Sequence, residues 1–127
     1  MKIVVLIARL LLGLIFVFFG SNGFLQFLPN PGLPPGSAGQ FLSALFASHY
    51  LYLIAGVQLI GGLLLLSNRY VVLALTLLGP VIVNILAYHI LLFHPIWQLA
   101  AVVTILWCFL VWRYRQYFSS LFVQRAQ

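Results

Sequence analysis

Six polar side chains stand out in an otherwise apolar chain: the histidines His49, His89 and His94, the amides Gln58 and Asn84, and Arg9. Imidazoles can carry protons or bind a metal, amides can hold the carbonyl or hydroxyl of a ligand, and a guanidinium can hold an anion. Zinc needs three or four ligands converging at about 2.1 Å. Histidine spacings of 40 and five residues match no metal motif, and the chain has no Asp or Glu to orient a ligating imidazole. A metal or haem centre is therefore not expected. The single cysteine, Cys108, excludes an internal disulfide and a CxxC redox pair. There is no GxGxxG, GxSxG, HExxH or Walker sequence, so nothing points to independent catalysis.

The elements that must position these groups belong to a membrane. Of 127 residues, 65% are hydrophobic and 5% charged, which is far too few charges to coat a water-soluble domain. The net charge of +6 arises from six basic residues with no acid to offset them. A nucleic-acid binder would need a basic stripe on a soluble scaffold, and none is present. The opening MKIVVLIARLLLGLIFVFFG is interrupted by Arg9, ends in bulky phenylalanines and lacks an adjacent small-residue cleavage site. It reads as a retained first span rather than a signal peptide.

Lipid cannot hydrogen-bond an open backbone, so apolar stretches of about 20 residues cross it as helices. Spans are predicted at 3–20, 48–66, 70–93 and 97–114. The connections SNR and HP are short, which makes sequence neighbours antiparallel neighbours and predicts an all-α, up-down four-helix bundle. Lys2, Arg9, Arg69, Arg113, Arg115 and Arg125 all belong to one side of that arrangement. The positive-inside rule then places both termini in the cytoplasm, in a multi-pass protein of the cytoplasmic (inner) membrane. The connection 21–47 is different. Its PNPGLPPGSAG centre is expected to resist helix formation, while FLQFL and FLSALF on either side are apolar. Two readings remain open: a loop lying on the outer membrane surface, and a lid over the outer mouth of a cavity.

Depth along the helices orders the polar groups. Arg9 lies roughly 10 Å along the first span. It can snorkel to the headgroups, or be held inside facing Gln58, Thr76 or a bound anion; with no Asp or Glu in the sequence, only carbonyls, amides, hydroxyls, the chain terminus or a ligand can accept from it. Gln58 and Asn84 fall at similar depth, where they can bond to each other as interhelical glue or line a site. Pro80 should kink the third span, and Pro80, Asn84 and Tyr88 form one stripe at four-residue intervals. His89, five residues past Asn84, is turned about 140° away from that stripe on an ideal helix. It is expected near the outer surface with His49 and His94, in hydrogen bonding or, for His49 and His89, in proton or ligand handling.

The stretches ARLLLGLIFVFFGSNGF, YLYLIAGVQLIGGLLLLSNRY and LALTLLGPVIVNILAYHILL resemble the DoxX-like family of small bacterial four-helix membrane proteins. The resemblance runs from about Ile7 to Leu92 and carries Arg9, Gly13 and Gly20, the Gly61–Gly62 pair, and the GPxxxN stretch of Gly79, Pro80 and Asn84. Many relatives hold a glutamate where this chain has Gln58. The resemblance implies a four-helix membrane fold and an association with quinone or thiol redox systems, and the glutamine removes an ionisable group from the midplane. One expected function is therefore binding of a quinone-like or lipid-like molecule as accessory to a membrane redox system, with Arg9, Gln58, Asn84 and Tyr88 as polar contacts. The other is a structural subunit that binds a membrane-protein partner or a second copy of itself. A transporter is less well matched, because four spans would have to oligomerise to surround a pathway.

Overall fold

The computed structural model describes residues 2–26, 32, 34–92 and 97–122. All regular structure among them is helical. Helix α1 spans Lys2–Leu25, α2 Gly36–Ala47, α3 Tyr50–Ser67, α4 Val71–Ala87 and α5 Trp97–Arg113. Helix α4 continues as a π-helical turn, Tyr88–Leu92, and α5 is followed by 3-10 turns at Arg115–Tyr117 and Ser119–Phe122. Three segments are long and apolar enough to cross a membrane: Lys2–Leu25, Tyr50–Ser67 and Val71–Leu92. Helix α5 is apolar but shorter, with 17 residues. His94 lies outside the described residues.

Helix α1 packs on α3 and α5, and α4 packs on the same two helices, so the four close a ring. Leu12, Leu65, Leu75, Leu78 and Leu110 are fully buried in its centre beside Phe16. The outside is also apolar: Leu14, Leu53, Leu63, Val83 and Ile105 are all exposed. In water this coat would be untenable, whereas lipid tails are as apolar as the core, which removes the hydrophobic drive between helices and leaves close packing to join them.

That packing is tightest between α1 and α3. A Cβ built on Gly62 would stand 2.8 Å from the Gly13 carbonyl oxygen and 2.8 Å from the Val17 amide nitrogen. One on Gly20 would stand 2.8 Å from the Leu59 nitrogen. Backbone atoms cannot swing aside, so only glycine allows this approach. Helix α1 accordingly stays helical past Gly20 to Leu25, because the glycines that could have ended it face α3.

The connection between α1 and α3 holds a helix that its composition argued against. Pro35 is extended (φ −73°, ψ 161°) and occupies the position just before α2, where its missing N–H costs nothing. No proline follows it until Pro80, and FLSALF supplies an apolar face. Helix α2 packs on α3 and on the π turn after α4. Ser48 and His49 join α2 to α3, with His49 in the left-handed region (φ 61°).

Candidate functional site

Helices α2, α3 and α4 enclose a half-open cavity of about 410 Å³. Helix α4 contributes Pro80, Val81, Asn84, Ile85, Tyr88 and His89; α3 contributes Tyr50, Leu51, Ile54 and Gln58; α2 closes one side with Phe41, Leu42 and Leu45. The Phe41 ring lies 5.9 Å from that of Tyr88, which meets the His89 ring edge-on at 5.2 Å. From Pro80 to His89 the wall is about 13 Å of helix. Its size falls within the range of small-molecule sites, and its lining has the usual character of an apolar surface with a few polar groups.

Those polar groups differ in what they leave available. The Asn84 amide nitrogen donates to the Pro80 carbonyl at 2.8 Å, which turns the side-chain oxygen outward as an acceptor. His89 Nδ1 donates to the Ile85 carbonyl at 2.8 Å, a bond that fixes the tautomer and leaves Nε2 as an acceptor in the neutral ring. Gln58 is half-buried and makes no side-chain hydrogen bond among the described residues. Its amide presents both a donor and an acceptor. The cavity can therefore accept a hydroxyl or N–H from a ligand and donate to a carbonyl, with hydrocarbon walls for the remainder.

Gln58 and Asn84 thus share a cavity without bonding to each other, and Tyr88 joins them. Arg9 does not. Its guanidinium, on a residue only 7% exposed, donates to the Leu65 carbonyl and, at 3.4 Å, to that of Leu66. These lie in the last turn of α3, where carbonyls lack intrahelical partners and the helix dipole is negative. The cation is held by a helix end, and neither Gln58 nor Thr76 is its partner. Thr76 is exposed and donates to the Val72 carbonyl at 2.9 Å.

His49 lines a neighbouring hollow of about 360 Å³ with Gln26, Phe46 and Tyr52, its ring stacked on Tyr52 at 5.7 Å. Leu51 lines both hollows. Among the described residues no three of His, Cys, Asp or Glu gather as a metal site would require. His89 also enters the main cavity, one turn above Ile85 on a second stripe, Val81–Ile85–His89, that lines it beside Pro80–Asn84–Tyr88. Tyr50 and Phe41 were not anticipated as lining residues. The apolar spacing of Phe41, Leu42 and Leu45 in FLSALF was the available signal for the latter.

Opposite the cavity, Trp107 braces α4 in the turn below Pro80. Its indole N–H donates to the Leu75 carbonyl at 2.9 Å, and a Cβ on Gly79 would lie 3.2 Å from its ring. Proline disturbs the carbonyls one turn beneath it, and a donor from another helix steadies that turn. No family model, curated protein or solved structure matches this chain. The functional reading therefore rests on the geometry and on the residues themselves.

Proposed function

We propose that this chain is a DoxX-like protein of the cytoplasmic membrane that binds a quinone-like or lipid-like molecule in the cavity between α2, α3 and α4, as accessory to a membrane redox system. In this reading α1, α3, α4 and α5 cross the membrane as an up-down four-helix bundle with both termini in the cytoplasm. The clustering of every described basic residue toward one end supports that orientation. Helix α2 lies across the outer side as a cover.

The observation that carries the proposal is the meeting of Gln58, Asn84, Tyr88 and His89 on one apolar cavity. A polar side chain without a partner is costly in a hydrocarbon setting, and Gln58 has none among the described residues. A ligand carbonyl or hydroxyl would supply it. The ring of such a ligand fits beside Tyr88 and Phe41, and its tail beside Leu42, Leu45 and Ile54. The reaction partner that would reduce or oxidise the ligand belongs to another protein in this scheme.

The test is identification of small molecules that co-purify with the full-length protein in mild detergent, by mass spectrometry of the extract. Wild type should retain a quinone or a defined lipid near one equivalent, and Gln58→Leu and Asn84→Leu should each retain several-fold less. Equal retention in all three proteins, or none in wild type after addition of a ubiquinone or menaquinone analogue, would overturn the assignment.

A further inference from the structure

At the end of the molecule opposite α2, the start of α1 meets the end of α5 around a hollow of about 290 Å³. Lys2, Arg113, Tyr114, Gln116 and Tyr117 line it. All five can donate hydrogen bonds, and two carry full positive charge. The start of α1 adds the positive end of a 24-residue helix with no acidic residue in its first turn.

The described basic residues of this chain fall into two groups by what they touch. Arg9 is satisfied by the Leu65 and Leu66 carbonyls. Arg115 donates to the Trp112 carbonyl at 2.9 Å and lies 4.8 Å over its ring, so it serves the end of α5. Lys2 and Arg113 have no hydrogen bond or ion pair among the described residues. No acidic side chain exists to pair with them, because the sequence contains no Asp or Glu. Two cations sharing one hollow repel each other unless an anion stands between them. Arg69 also has no side-chain acceptor among the described residues, but it occupies the turn between α3 and α4 and does not line the hollow.

We infer that this hollow binds a phosphate group, held by Lys2 and Arg113 together with the tyrosine hydroxyls and the Gln116 amide. A guanidinium and an ammonium suit phosphate oxygens as a fork and a point charge. The headgroup of an anionic phospholipid is the source at hand for a site at the end of membrane-length helices. A soluble phosphate has the same chemistry. The site is separate from the α2–α3–α4 cavity and stands whether or not that cavity binds a quinone.

The experiment titrates the purified full-length protein, in neutral detergent at 0.15 M salt, with phosphatidylglycerol, phosphatidylcholine or inorganic phosphate, with binding read by native mass spectrometry. Phosphatidylglycerol should bind at one equivalent and more tightly than phosphatidylcholine. The double variant Lys2→Gln, Arg113→Gln should bind it about thirtyfold more weakly, each basic group near an anionic surface contributing a factor of about five. Arg69→Gln, which removes a charge outside the hollow, should change binding less than twofold. Phosphate that saturates the site with the same dependence on Lys2 and Arg113, and displaces the lipid, would confirm the site and assign it a soluble ligand. Equal weakening by Arg69→Gln and the double variant, or no binding of either phosphatidylglycerol or phosphate, would overturn the inference. Should the double variant fail to fold, Lys2→Gln alone carries the test, since Lys2 is exposed in the first turn of α1 and should show the fivefold effect.

Discussion

The guanidinium of Arg9 on α1 bonds to the carbonyl of Leu65 in the last turn of α3. A buried cation in a chain without an acidic side chain is thereby met by a helix end, and α1 and α3 are fastened at that level in addition to their glycine contacts. Arg9→Leu should cost about 1–3 kcal/mol, because it removes the guanidinium donor from the Leu66 carbonyl and leaves the Leu65 carbonyl only the long bond from the Asn68 N–H, at 3.4 Å. Arg9→Lys should recover part of this, as an ammonium keeps the charge but loses the planar fork. Unfolding in mixed micelles would measure both. Unaltered ligand retention by the folded fraction is expected, since Arg9 does not line the α2–α3–α4 cavity.

Gly62→Ala should loosen the α1–α3 contact. Its new methyl group meets backbone at 2.8 Å, so the helices must separate. A loss of about 1–3 kcal/mol is expected, in line with overpacking elsewhere. Gly56→Ala is the control: its nearest neighbour is the edge of Phe24 at 3.9 Å, and no measurable loss of stability should follow.

The difference between what could and could not be read from the sequence follows from these contacts. Membrane-length apolar helices were legible because lipid imposes one solution on the backbone. The stripe Pro80–Asn84–Tyr88 was legible because four-residue spacing stacks side chains on one helix face. The acceptor of Arg9 was not, since every residue carries a carbonyl and only a helix end makes one available. The SNR connection, with Asn68 in the left-handed conformation that closes α3, marks where α3 stops but not what its last carbonyls bind. The place of His89 in the cavity was hidden because the wall is two stripes wide, with Val81, Ile85 and His89 beside Pro80, Asn84 and Tyr88. Helix α2 was obscured by the prolines before it, which set where it starts and not whether it forms.

Trp107→Phe should separate bracing from bulk. The aromatic filling beside Gly79 is largely kept, but the Leu75 carbonyl loses the indole donor. A loss of about 0.6–1.5 kcal/mol is expected for a single interhelical hydrogen bond in lipid. Hydrogen exchange should also rise in α4 around Leu75 to Pro80, with α1 and α3 unaffected. A uniform rise through all helices would show that Trp107 acts only as core volume.

Gln58→Leu distinguishes a ligand-facing amide from interhelical glue. If Gln58 bonded to Asn84 or another helix, its loss would destabilise the protein by about 0.6–2 kcal/mol. Since it makes no such bond among the described residues, exchange for leucine should be neutral or mildly stabilising in the ligand-free protein. Ligand retention should nevertheless fall several-fold. Phe41→Ala should lower retention as well, by opening the α2 side of the cavity while leaving its polar groups in place. The two variants together locate the function: a stability loss without a retention loss at Gln58 would return it to the role of glue, and a retention loss at Phe41 without one at Gln58 would mark the cavity as a lipid groove whose occupant is held by its tail alone.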